Sequence, residues 1–344
     1  MKFRPSSIVL PMLLAFFVGD PPWLRITEKD VELRIPDGFP EPVYDFTKNK
    51  LTPAAFTLGR KLFYDSILSR DSSTSCSSCH QRIAAFGHID HKLSHGINGL
   101  MGKRNVPAIQ NIIWQNNFMW DGSINHLDLQ PIAPLTNPVE MDETLANVLL
   151  KLQKHPIYPA LFEKAFGGNS ITTENLLKSL SQFVSLMISD SSRYDKYRLG
   201  QATFTEQEEN GLQIFRQRCA SCHKEPLFSD YSLRNIGLKP DTAIGDYGRY
   251  QITGSKSDSM RFRVPSLRNV DITYPYMHDG RFRSLKDVLA HYANGHFYTE
   301  YVDDLVKKNI GMSAEEQADI IAFLKTLTDR TYTYDRRFVD PNGY

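Results

Sequence analysis

The four cysteines of the chain fall in two copies of one pattern, Cys76-Ser77-Ser78-Cys79-His80 and Cys219-Ala220-Ser221-Cys222-His223. Two thiols three positions apart are spaced to meet the two vinyl groups of a haem, and the adjacent imidazole can reach the iron. Redox dithiols or half zinc sites would use the thiols but leave both following histidines unexplained. The pattern therefore predicts two covalently bound c-type haems. Cys76, Cys79, Cys219 and Cys222 hold them, and His80 and His223 ligate the iron.

The sixth position on each iron decides the chemistry, because an open one can bind peroxide whereas a filled one only passes electrons. For the second haem, Ser284 and Asp287 cap a helix on which Leu285, Val288, Leu289 and Tyr292 share one face. Tyr292 points inward with that stripe and His291 is rotated off it. An ordinary core tyrosine fits the same phase, and Met277 and His278 are further candidates. For the first haem, His88, His91 and His95 follow the motif closely and any of them could cap the iron, although solvent-exposed loop histidines are the ordinary reading for at least two. Glu140, in Asn137-Pro138-Val139-Glu140-Met141, is a carboxyl among apolar residues. Such a group can shuttle protons to bound peroxide; equally, it can be a surface residue that opens a helix.

The elements that position these residues are helical. Thr52 followed by Pro53 starts one helix, with Phe56, Gly59 and Phe63 on one face. Thr205 and Glu208 form a capping box for a second, and Gly211 and Phe215 repeat the Gly-x-x-x-Phe spacing. Each glycine lets a neighbouring helix or a haem edge come close. Between the halves, Leu145, Val148, Leu149 and Leu152 mark one periodic helix, and Leu176, Leu177, Leu180, Val184 and Met187 another. The polar stretch 189–201 reads as a linker and 228–273 as long ordered loops. A last helix opens at the Ser313 and Glu316 capping box and buries Ile320, Leu324 and Leu327. The expected fold is mainly α, with two cytochrome c-like haem domains and long irregular loops. Their expected spans are 21–195 and 196–344.

At 344 residues with 41% hydrophobic side chains the chain can form a sizeable core, and 40 basic against 39 acidic side chains leave a net charge of +1. No basic run marks a nucleic-acid or membrane-surface partner. The N-terminus places Lys2 and Arg4 before an apolar run over 8–18, the order of a secretory signal peptide, here taken as 1–20. Eleven residues are too few to span a bilayer, so a periplasmic location is expected, with no membrane span.

The chain resembles the bacterial di-haem cytochrome c peroxidase family, which includes the methylamine-utilisation enzyme MauG. The resemblance covers about 51–327. It is carried by Leu58-Gly59-Arg60-Lys61-Leu62-Phe63, both haem motifs, Arg104-Asn105-Val106-Pro107, Phe118-Met119-Trp120-Asp121-Gly122 and the segment around Glu140. In the second half it continues with Val264-Pro265-Ser266-Leu267-Arg268-Asn269 and Tyr274-Pro275-Tyr276-Met277-His278-Asp279-Gly280. It implies a peroxidatic first haem and an electron-entry second haem, with Trp120 as relay between them and Glu140 as the acid that helps cleave the O–O bond. It also implies a calcium ion held by Asn105 and the carbonyls of Thr273 and Pro275. Twelve residues beyond His278-Asp279-Gly280 stands Tyr292, where the family's peroxidases have methionine and MauG has tyrosine. A phenolate is a hard anionic ligand that lowers the potential relative to methionine. His95-Gly96 matches the peroxidases' switchable histidine only loosely, two residues early. The implied activity is reduction of hydrogen peroxide to water with electrons from a small cytochrome c or cupredoxin, in a protein that could be a homodimer. The alternatives are MauG-like oxidation of a protein side chain and a non-catalytic di-haem electron carrier.

Overall fold

The computed structural model describes residues 25–343 apart from Asp90, Asn169, His296 and Thr299; the expected signal peptide lies outside them. In the first half the helices are α1 (Pro53–Tyr64), α2 (Cys76–Cys79), α3 (Ile132–Thr136), α4 (Leu145–Lys154), α5 (Tyr158–Phe166) and α6 (Thr173–Ser185). There follow α7 (Arg193–Arg198), α8 (Glu206–Arg218), α9 (Tyr250–Thr253), α10 (Leu285–Asn294), α11 (Asp304–Lys307), α12 (Ala314–Lys325) and α13 (Arg330–Tyr334). The short strands β1 (Leu233–Arg234) and β2 (Phe262–Arg263) pair antiparallel, Leu233 opposite Arg263. The rest of 228–273 is largely irregular, as its composition predicts.

Local sequence explains where the long helices begin. Thr52 accepts from the Ala55 amide, with proline at the first helical turn of α1. Reciprocal capping boxes open α8 at Thr205 and Glu208, α10 at Ser284 and Asp287, and α12 at Ser313 and Glu316. The two glycines answer to neighbouring helices. A Cβ on Gly59 would stand 1.9 Å from the Ser179 carbonyl oxygen of α6, and one on Gly211 would stand 2.0 Å from the Asp319 carbonyl oxygen of α12. Beside each crossing a phenylalanine pair closes the contact, Phe63 with Phe183 and Phe215 with Phe323, both at 5.1 Å between ring centroids.

These crossings seed two cores. The first gathers Phe56, Leu62, Phe63, Leu180 and Phe183, the second Leu212, Phe215, Phe228, Leu289 and Phe323. Tyr332 and Phe338, late in the chain, pack into the first core. There the Tyr332 hydroxyl donates to the Ile109 carbonyl and Arg82 donates to the Thr333 carbonyl at 2.9 Å.

The stretch 189–201, read from sequence as a linker, is partly built into the fold. It contains α7, and it buries Ser189, Ser192 and Asp195 in a seam between the halves while Arg193, Lys196 and Arg198 stay exposed. Ser189 exchanges two hydrogen bonds with the Asn111 side chain and accepts from Asn269 at 3.0 Å. Asp329 accepts from the Ser189 hydroxyl and from the amides of Asp190 and Ser191. Arg268, fully buried, forms a two-pronged ion pair with Asp195, both contacts at 2.8 Å. Ser189 and Asp195 find partners in distant parts of the chain and Ser192 bonds to Asp195, so burial is tolerated.

Candidate haem sites

Two cavities open beside the Cys-x-x-Cys-His segments. The first is lined by Cys76, Cys79 and His80 together with His95, Gln130, Glu140 and mostly apolar side chains including Phe63, Ile109 and Leu180. The second is lined by Cys219, Cys222 and His223 together with Trp120, Arg263, Met277, His278 and Tyr292. Asn105, Thr273 and Pro275 border the same space.

Both halves orient the proximal imidazole in the same way. His80 Nδ1 donates to the Phe86 carbonyl at 2.7 Å and His223 Nδ1 to the Phe228 carbonyl at 3.1 Å. This fixes the tautomer and leaves Nε2 for a metal. The two carbonyls are aimed by a strained backbone, because Phe86 has φ of 59° and Phe228 has φ of 54°, a region that bulky side chains rarely enter. Burial pushes His80 down to about 4 and lowers His223 too, keeping both imidazoles neutral as an iron ligand requires. Burial likewise pushes the Cys76 and Cys219 thiols up to about 12. Paired thiols, an oriented neutral imidazole and apolar walls fit a covalently held haem in each cavity.

Around the first cavity, burial raises the Glu140 carboxyl above the ordinary carboxylate range, against the opposing pull of the Asn137 amide and Arg104. The Asn137 Nδ2 donates to Glu140 Oε1 at 2.9 Å. His95 reaches this cavity, and its carbonyl lies 3.4 Å from the Cys79 sulfur. His91 and His88 stand behind it: the His91 ring lies 4.7 Å from each of the other two, and His88 is buried. Gln130 is a cavity residue that sequence reasoning missed; a lone glutamine after an apolar turn carries no local signal.

The second cavity receives Tyr292 from α10 as helical phase predicts, while His291 turns away and contacts the Ile236 carbonyl through Nε2 at 2.8 Å. Burial raises the Tyr292 phenol, so ionisation there needs a cation at the oxygen. Met277 and His278 border the same space, but His278 is stacked on Phe262, ring centroids 3.7 Å apart. Between the cavities, Met119 Sδ accepts from Gln130 Nε2 at 3.8 Å, and the next residue, Trp120, lines the second cavity and donates from its indole to the Asn105 carbonyl at 2.8 Å. The Met119–Trp120 dipeptide thus joins a residue of one cavity to the wall of the other.

Asn105 uses its amide nitrogen on the Lys92 carbonyl at 3.2 Å, which turns its oxygen the other way. Among the described residues no group of three or more His, Cys, Asp or Glu is placed to hold a metal ion. A cation beside Asn105 would therefore rest on amide and carbonyl oxygens, a donor set that suits a hard ion.

The di-haem cytochrome c peroxidase family profile matches residues 53–203 and the cytochrome c profile residues 208–328. The methylamine utilization protein MauG of Methylophilus methylotrophus is 30% identical over 340 residues, covering 95% of this chain and 96% of that protein. The cytochrome c551 peroxidase of Nitrosomonas europaea is 32% identical over 275 residues, 79% of each chain. Among solved structures, a MauG-like protein associated with microbial copper homeostasis superposes with a TM-score of 0.83 at 31% identity, over 90% of this chain and 99% of that one. With two matched haem cavities, each built on Cys-x-x-Cys-His, and relatives aligned over nearly their whole length, the chain belongs to the di-haem cytochrome c peroxidase and MauG family.

Proposed function

We propose that the chain reduces hydrogen peroxide to water at the first cavity, using two electrons that enter one at a time through the second. The observation that carries this reading is Glu140: a carboxyl with a raised pKa, lining the same cavity as His80. The first haem, when bound, supplies the iron that takes peroxide. Glu140 in its ionised form would take a proton from one peroxide oxygen and return it to the other, which leaves as water; the two electrons from the donor and two protons from solvent would turn the remaining oxygen into a second water. The Asn137 amide holds the carboxylate in place, and Gln130 offers a second polar contact. Trp120 relays electrons between the cavities along the Met119–Trp120 segment. The donor is a small cytochrome c or cupredoxin, since a redox protein can dock where no substrate pocket is needed.

In this reading Tyr292, which lines the second cavity, would serve as a ligand to the haem held there, so that peroxide would react at the first. His95 lines the first cavity and is the candidate for a ligand that leaves when peroxide binds. Asn105, Thr273 and Pro275 hold a calcium ion that braces the two halves, which divide as 21–195 and 196–344 after a signal peptide at 1–20. The protein works in the periplasm; among the described residues no helix is long and apolar enough to cross a membrane.

Steady-state peroxide consumption with a reduced small cytochrome c tests the proposal, alongside an electron paramagnetic resonance spectrum of the oxidised protein showing one high-spin and one low-spin haem. Tyr292 also favours a second reading, MauG-like oxidation of a side chain on a partner protein. Peroxide that changes the absorption spectrum without turnover of cytochrome c would select it. A spectrum that peroxide leaves untouched would select a plain electron carrier.

A further inference from the structure

Three arginines line the second cavity. Arg218 is matched by Glu316 at 3.0 Å, and Arg234 by Asp303 at 2.7 Å and Asp230 at 3.2 Å. Arg263 differs. It is only 6% exposed, and among the described residues no carboxylate lies within ion-pair distance of it. Its side-chain hydrogen bond runs from Nε to the Met119 carbonyl at 3.3 Å, and its backbone amide donates to the Trp120 carbonyl at 2.7 Å. A buried guanidinium without a counter-charge is unfavourable, and the fork is suited to carboxylate oxygens.

We propose that Arg263 is the counter-ion of a propionate carboxylate on the second haem, and that it couples the charge of that haem to the Met119–Trp120 segment. The assignment deepens the reading given above and rests on a haem attached at Cys219 and Cys222. Burial pushes Arg263 down to about 10 because no carboxylate among the described residues offsets it. Two effects follow from the pairing. A propionate neutralised by Arg263 no longer stabilises the oxidised iron, so the potential of the second haem sits higher than with a free carboxylate. A guanidinium neutralised in turn places no net charge beside Trp120 to oppose removal of an electron from the indole. Arg263 is therefore a positioning and tuning residue rather than one that touches peroxide.

The test compares Arg263→Gln and Arg263→Lys with the parent holoprotein. Mass and pyridine haemochrome first count the haems, so that a chain carrying only one haem refutes the cofactor reading independently of Arg263. With both haems attached, Arg263→Gln should lower the midpoint potential of the second haem by at least about 59 mV, a tenfold change in its one-electron equilibrium. Arg263→Lys, which keeps the charge, should recover more than half of that shift. The resonance Raman propionate-bending band of the second haem should move in Arg263→Lys, because an ammonium cannot reproduce the fork. If the Gln variant fails to mature, that band carries the test alone. An unmoved potential in Arg263→Gln, or an unmoved band in Arg263→Lys, overturns the proposal, and a merely structural arginine would change stability without moving either.

Discussion

Replacing Glu140 by glutamine keeps the size of the side chain and the contact with Asn137 while removing the proton that the carboxyl can carry. A positioned general acid or base contributes about 10²–10⁴-fold, which at about 1.36 kcal/mol per decade is roughly 2.7–5.4 kcal/mol of barrier. Peroxide turnover of Glu140→Gln should fall by that factor at saturating donor, and the rapid spectral change of the first haem on mixing with peroxide should slow in parallel. The second haem's spectrum should stay as it was, because Glu140 lines only the first cavity. The pH profile gives an independent check. Burial raises Glu140, and the ionised form must accept the first proton, so activity rises with pH through a midpoint above the ordinary carboxylate range. Asn137→Leu removes the amide that favours the ionised form. Its acid limb should therefore move to higher pH, with the plateau changed only a few-fold. A loss below about tenfold in Glu140→Gln, short of the usual contribution of about 10²–10⁴-fold, would refute the assignment, as would an acid limb that does not move in Asn137→Leu.

Tyr292→Phe should change the absorption and resonance spectra of the second haem and raise its potential, because a hard anionic ligand is lost; unchanged spectra would exclude the tyrosine as ligand. Gly59→Ala gains about 1 kcal/mol of helix propensity but places a Cβ 1.9 Å from a backbone oxygen that cannot give way. The clash wins, and thermal unfolding should show net destabilisation of about 1–3 kcal/mol or more, with Gly211→Ala behaving alike. Arg268→Met should cost about 3–5 kcal/mol at neutral pH by leaving Asp195 buried and unpaired. Although burial raises Asp195, Arg268 outweighs it and holds the carboxyl below its usual range. The parent's contribution from this pair is thus present above the ordinary carboxylate pKa and lost as pH falls through the depressed one. Urea unfolding should show the penalty of Arg268→Met shrinking in acid, and a penalty constant with pH would contradict the argument. If calcium sits at Asn105, Thr273 and Pro275 as proposed, chelation with EGTA should slow electron transfer between the haems and added Ca²⁺ should restore it, whereas an unchanged rate would count against the ion.

What could be read from sequence was what is local or covalent. Thr52, the capping boxes at Thr205, Ser284 and Ser313, and the phase of Tyr292 act within a turn or two of helix, so pattern alone places them. The haem motifs are local too, because both thiols and the imidazole come from five consecutive residues. Gln130 and Arg263 were missed for the opposite reason. Nothing beside Arg263 in the chain shows that it lacks a carboxylate; that follows from its docking on Met119, 144 positions away. The left-handed turns at Phe86 and Phe228 have no composition signal, since phenylalanine ordinarily avoids that region. The burial of part of 189–201 was out of reach for the same reason. Its serines and aspartates look solvated in isolation, yet their partners Asn111, Arg268 and Asp329 lie far away in sequence.

The packing of Tyr332 and Phe338 into the first core has a consequence for how the molecule matures. The first haem motif emerges early in synthesis, at residues 76–80, but the core against Phe86 is completed only when Tyr332 and Phe338 arrive. Phe86 bears the carbonyl that orients His80. Thioether formation at Cys76 and Cys79 can thus take place on a half whose walls are unfinished, open to the attachment machinery. Loss of the segment carrying Tyr332 and Phe338 would injure the early haem site, more than two hundred residues upstream, while leaving the crossing of α8 and α12 intact.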